Sequence, residues 1–127
     1  VSVRVPDLVV FSEEGVTALE GASRSLVLLD MPPPLLVVEV VSTNWRDDYF
    51  TKLGQYEAIG IPEYWIVDYA GLGGVRFIGK PKQPTITVYQ LIEGEYEPEQ
   101  FRGDDPIKSS ILQNLNLTAN QIFAAGR

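Results

Sequence analysis

Hydrophobic positions recur with two different periods along this chain, and the switches between them mark its elements. "VSVRVPDLVVF" (residues 1–11) alternates and predicts a strand, with Pro6 at an edge or a bulge. "SEEGVTALEGASRS" (12–25) is polar and turn-rich and predicts a loop with a short helical turn. "MPPP" is a rigid approach to "LLVVEVV" (35–41), a strand apolar on both faces and so expected at the centre of a covered sheet. From Trp45 to Ile59 the period becomes helical. Asn44 serves as N-cap with Asp47 in capping-box position, Asp47 and Asp48 suit the helix dipole, and Gly60 and Pro62 end the run. "EYWIVDY" (63–69) is the third strand, which makes a right-handed βαβ unit with parallel strands. "VRFIG", "TITVYQLIEG" and "EYEPEQF" predict short antiparallel strands with glycine turns. "LTANQIFAAG" predicts a closing helix with Thr118 as N-cap and Gly126 just past its end. The fold class is α/β with a mixed sheet.

Two charges break this pattern. Glu39 is the one ionisable residue in the apolar run Leu35 to Val41, and an unpaired buried charge costs several kcal/mol. On a helical wheel with Tyr49 at zero, Leu53, Tyr56 and Ile59 fall at about 40°, 340° and 280° and form the apolar stripe. Lys52 falls at about 300°, inside the stripe, and Gln55 at about 240°, on its border. Lys52 thus leans toward the sheet that carries Glu39. Taken alone, it fits a salt bridge to Asp48 four residues back equally well, and Glu39 fits an exposed acid at a strand end.

Asp7 breaks the tie. "VPDLVV" repeats the form of the Glu39 stretch, one acid in an apolar strand. If the two strands pair across the Ser12 to Pro34 connection, two carboxylates converge on one cavity. Close carboxylates repel unless a cation sits between them, and a hard divalent ion such as Mg²⁺ is the usual resolution. Two acids, a cation and a lysine suit phosphodiester hydrolysis, with the metal polarising the phosphoryl oxygen and the lysine orienting water or neutralising charge.

Composition narrows the chemistry further. The 127 residues are enough for one domain, and 45% hydrophobic content is enough for a core. No apolar run approaches the ~18 residues of a membrane span. The absence of cysteine and histidine removes disulfides, thiolate zinc sites and histidine bases, so any metal is held by oxygens. A net charge of −7 argues against a broad nucleic-acid-coating surface but not against a local groove that takes DNA through a metal. An intracellular, cytoplasmic setting fits. The strand-like start without Met reads as that of a fragment or processed product.

The stretches "VPDLVV", "PPLLVVEVVS", "RDDYFTKLGQYEAIGIPEYWIVD", "TITVYQLIEGEYE" and "LNLTANQIFAAG" resemble the PD-(D/E)xK nuclease superfamily. Within it the chain is similar to the Uma-two type, a restriction endonuclease group. The "K…Y…GIPEYWIVD" run is the most specific part. The resemblance implies a restriction endonuclease-like fold: a mixed β-sheet with a crossover helix and added C-terminal hairpin strands. It maps the first acid to Asp7 and the second to Glu39. The motif's lysine would fall at Val41; in families of this type the following helix supplies it, which here means Lys52, with Gln55 as a secondary candidate. The helix and strands that usually precede the "PD" strand are missing from residues 1–127, which are read as one domain.

Other features carry less. "GLGG" (71–74) lacks the Lys-Ser/Thr of a phosphate loop and reads as a turn. Arg76, Lys80 and Lys82 form the only basic cluster, expected on a solvated hairpin. Tyr64 and Trp65 are expected to pack in the sheet and Asp68 to belong to a turn. The acidic "EGEYEPEQ" is placed away from any cleft. The expectation is a Mg²⁺- or Mn²⁺-dependent, homodimeric DNA endonuclease with Asp7 and Glu39 on the metal. The alternatives are a non-catalytic nuclease-fold module that binds nucleic acid or protein, and a structural partner in an assembly.

Overall fold

The computed structural model describes residues 8–10 and 34–125. Its centre is a five-stranded sheet in the order β1-β2-β3-β4-β5: β1 Leu8–Val10, β2 Leu36–Val40, β3 Glu63–Asp68, β4 Thr85–Ile92 and β5 Glu95–Phe101. β2 and β3 run parallel and every other pair is antiparallel, so the sheet is mixed as expected. The parallel pair needs a crossover, which a π-helical segment (Asp47–Lys52) and α1 (Leu53–Ile59) provide. Gly60, at φ 90°, ends this helix in the left-handed conformation that glycine adopts without strain.

Alternation along β2, β3 and β4 sends side chains to two cores. On one face Val37, Val41, Tyr64, Ile66 and Tyr89 pack with Tyr49 and Tyr56 of the crossover and with Ile61 and Ile78. On the other, Leu36, Val38, Trp65, Val67, Ile86, Val88 and Phe101 pack with Ile107, Ala119 and Phe123. The last two belong to α3 (Ala119–Ala125), the closing helix. Each fully buried side chain of this size contributes about 1.5–3 kcal/mol. At the start of α3, Thr118 Oγ1 accepts from the Gln121 amide while Gln121 returns a bond to the Thr118 amide, a reciprocal cap. Gly126 and residues 11–33 lie outside the described residues.

One predicted strand is not a strand. "VRFIG" forms a single helical turn, α2 (Val75–Ile78), whose amides at Phe77 and Ile78 donate to the Gly74 carbonyl. Asp68 gathers the Leu72 and Gly73 amides into a turn, and the chain leaves that turn winding into α2 instead of extending. The helix start also differs from expectation: Asp47 does not close a capping box with Asn44 but turns toward Lys52, and the winding over Asp47–Lys52 is π rather than α.

The turn before α2 is steered by Asp68. Its buried carboxylate accepts from the amides of Leu72 and Gly73, both at 2.8 Å, and from the Tyr49 hydroxyl at 3.3 Å. A Cβ on Gly73 would lie 2.8 Å from the Tyr49 ring and 3.1 Å from Asp68. Gly73→Ala is therefore expected to destabilise the chain by about 1–3 kcal/mol, read as a lower denaturation midpoint. An unchanged midpoint would show that the ring gives way freely.

Candidate active site

Glu39 is the fourth residue of β2 and lies on the crossover-helix face, flanked there by Val37 and Val41. It is only 2% exposed. Among the described residues two partners offset its burial: the Tyr56 hydroxyl donates to Oε2 at 2.9 Å, and Lys52 Nζ stands 3.3 Å from the same oxygen. Val41, where the superfamily motif would place its lysine, is buried among apolar side chains. In this fold the amine beside Glu39 comes from the crossover.

Lys52 closes the π-segment, and its side chain is 20% exposed. Nζ also reaches Asp48 Oδ1 at 3.2 Å and Asp47 Oδ2 at 3.7 Å. The pairing with Asp48 and the approach to Glu39 are thus both present in one geometry. Asp48 is itself buried, and its backbone carbonyl accepts from the Tyr64 hydroxyl at 2.9 Å, which ties the π-segment to β3. Tyr49 does the same through Asp68. Burial pushes the Tyr49 and Tyr64 hydroxyls well above their ordinary value, so both stay protonated and keep donating.

For Lys52, burial is the largest influence and works against the charge. The Glu39 and Asp48 carboxylates together outweigh it and hold the ammonium above its usual 10.5. Lys52 is therefore a cation across the neutral range. Because the folded value is raised, the stabilisation from its pairing is complete below pH 10.5 and is lost only as pH rises through that higher value.

These groups wall a polar cleft of about 190 Å³, lined by Glu39, Val40, Ser42, Asn44, Asp47, Asp48 and Lys52. Gln55, the secondary candidate, is half-buried three residues beyond Lys52. Asp7 lies outside the described residues. Among the described residues no group of three or more Asp or Glu side chains is arranged to hold a metal ion. The Lys52–Asp48 pair is the one the spacing offers, but its burial beside Glu39 is not. Tyr56 has no such signal: its ring belongs to the apolar stripe, and only its hydroxyl end reveals the second role. Two strands, β3 and β4, separate the acidic β5 from β2.

No individually curated protein matches the chain. A family model, Uma2, described as "Putative restriction endonuclease", matches residues 2–120. The mixed α/β sheet with its single crossover agrees with a restriction endonuclease-like fold. With nearly the whole sequence matched, the chain belongs to the Uma2 family.

Proposed function

We propose that the chain is a divalent-metal-dependent endonuclease that hydrolyses DNA phosphodiester bonds. The observation that supports this most is the Glu39–Lys52 pair: a buried strand carboxylate and an ammonium 3.3 Å apart, walling a polar cleft. The donor chemistry fits a hard ion, because a chain without cysteine or histidine offers only oxygens. Glu39 is one ligand. Asp7 is the second: it precedes Leu8 in the chain, and Leu8 pairs with Val38, the neighbour of Glu39. Mg²⁺ or Mn²⁺, when bound, supplies a polarised phosphoryl oxygen and a water of lowered pKa.

The protein's own groups do the rest. Tyr56 fixes the Glu39 oxygen it donates to. Lys52 keeps a positive charge at Nζ, beside the place where negative charge builds on the phosphate. Without a bound ion, Glu39 and Asp48 hold its proton more tightly than usual. Gln55 is a positioning group for the same helix face. Cutting both strands takes two such sites, so a homodimer belongs to the proposal.

Plasmid cleavage in Mg²⁺ or Mn²⁺ by the parent and by Lys52→Met tests this. The substitution is expected to slow cleavage by about 100-fold or more. The parent's pH–rate profile should show no loss from Lys52 ionisation below pH 10.5. Equal cleavage by both proteins, or cleavage undiminished in a chelator, would refute the assignment. A second reading, a non-catalytic module of the same fold, is favoured by the net charge of −7 and by Val41 standing where the motif's lysine would fall. A divalent titration separates the two, since a working site raises the melting temperature with metal and Asp7→Asn removes that rise.

A further inference from the structure

We propose that the shelf formed by the π-segment and α2, carrying Arg46, Arg76 and the exposed Phe50, grips the sugar–phosphate backbone of the nucleic acid strand that enters the Glu39–Lys52 cleft. The proposal rests on the nuclease reading for its substrate class. Its evidence is separate and begins with where the free cations are.

The chain has 17 acidic and 10 basic residues, so its overall field repels polyanions. Among the described cations, Lys52 is held in the cleft, Arg102 is bonded to Thr85, Gln100 and the Ile78 carbonyl, and Lys108 faces Glu99. Arg46, Arg76, Lys80 and Lys82 remain; all are exposed, and none is ion-paired to a described residue. They are not scattered. Arg76 is in α2, and the two lysines follow directly on it.

Aromatic rings hold the two guanidinium groups. Arg46 lies 4.8 Å over the Trp45 ring, and Arg76 lies 5.2 Å over Phe77 and 5.6 Å over Phe50. The rings touch one another, Trp45 to Phe77 at 6.1 Å and Phe50 to Phe77 at 4.9 Å, so the two arginines stand on one continuous aromatic floor. A ring beneath each guanidinium restrains it by cation–π attraction, while the exposed side chain keeps N–H donors open to a phosphate. Phe50 is 45% exposed, a costly placement for a large ring unless something covers it, and nucleobases stack on such rings. The shelf and the cleft share the π-segment. Asp47, Asp48 and Lys52 line the cleft from the same turns that carry Arg46 and Phe50.

The formation of α2 creates this arrangement. As a strand, residues 75–79 would have carried Arg76 into a hairpin; as a helical turn they set it against Phe50.

Fluorescence anisotropy with labelled oligonucleotides tests the shelf in the absence of divalent ions, so that cleavage plays no part. Single-stranded DNA, duplex DNA and single-stranded RNA form the three arms and show which backbone is taken. The double variant Arg46→Gln/Arg76→Gln is expected to bind about tenfold more weakly at moderate salt. The slope of log affinity against log salt should fall by about two, one for each lost phosphate contact. Lys108→Gln should change neither. Phenylglyoxal labelling of the parent chain needs no variant and should fall at Arg46 and Arg76 when oligonucleotide is bound. Equal affinity of parent and double variant, absence of binding by the parent, or labelling indifferent to oligonucleotide would overturn the shelf. Cleavage lost in Lys52→Met with the anisotropy result intact supports both ideas. Cleavage that persists in Lys52→Met removes the catalytic assignment alone.

Discussion

Replacing Glu39 with glutamine is expected to cut divalent-dependent DNA cleavage by about 1000-fold or more while the protein stays folded. Glutamine has the same shape and keeps an oxygen that can accept from Tyr56, now at 2.9 Å from Glu39 Oε2. What it removes is the negative charge, and with it both the proposed metal ligand and one counter-charge of Lys52. Lys52 retains Asp48 at 3.2 Å, so the ammonium is not stranded in the protein. The loss should therefore appear in the cleavage rate, with the far-UV spectrum and the melting temperature close to the parent's. Nucleic acid binding without divalent ions should also persist, because the Arg46 and Arg76 shelf does not use Glu39. Cleavage at the parent's rate by Glu39→Gln would remove this carboxylate from the chemistry.

How much of this was readable beforehand follows from how local each signal is. Glu39 is legible because one acid in seven strand residues has no bland neighbour to explain it. Lys52 is legible because helix periodicity alone turns it toward the sheet. The parallel pairing of β2 and β3 and the β4–β5 hairpin are legible from element lengths and the Glu93-Gly94 turn, where both residues have positive φ. The pairing of Asp48 with Lys52 follows from the i, i+4 spacing, but its burial was hidden, because an aspartate in a first turn satisfies the dipole argument wherever it points. The π winding that buries Asp48 leaves no mark in the pattern. "VRFIG" misled because Val75, Arg76 and Phe77 alternate like a strand, whereas the turn that winds it into a helix is held by Asp68 through contacts that leave no mark in the pattern.

Glu63 gives the clearest case of a residue with no sequence signal, and the largest expected loss of stability. It is fully buried at the start of β3. Its carboxylate accepts from Trp65 Nε1 at 2.7 Å, Ser109 Oγ at 2.5 Å, and Ser110 N and Oγ at 3.0 and 2.9 Å. The serines are more than forty positions away in the chain, so no spacing announces them. Glu63 lies on the sheet face opposite Glu39, paired with Leu36 in the core that Phe123 and Ala119 of α3 cover. It latches the 106–125 segment onto the sheet. Glu63→Ala leaves the buried Trp65 Nε1–H and the part-buried Ser109 and Ser110 donors without their acceptor and is expected to cost about 3–5 kcal/mol, or roughly 10–20 °C in melting temperature. Hydrogen exchange should quicken first at the Ser110 and Leu112 amides and in α3. Two buried acids in one small sheet thus differ by their company. Glu39 has a cation and an open cleft, as a reactive group requires, whereas Glu63 is closed in by neutral donors and Lys52 is on the other face. If Glu63→Ala melts within a degree of the parent, the latch carries no weight, and the contrast between the two acids loses its physical basis.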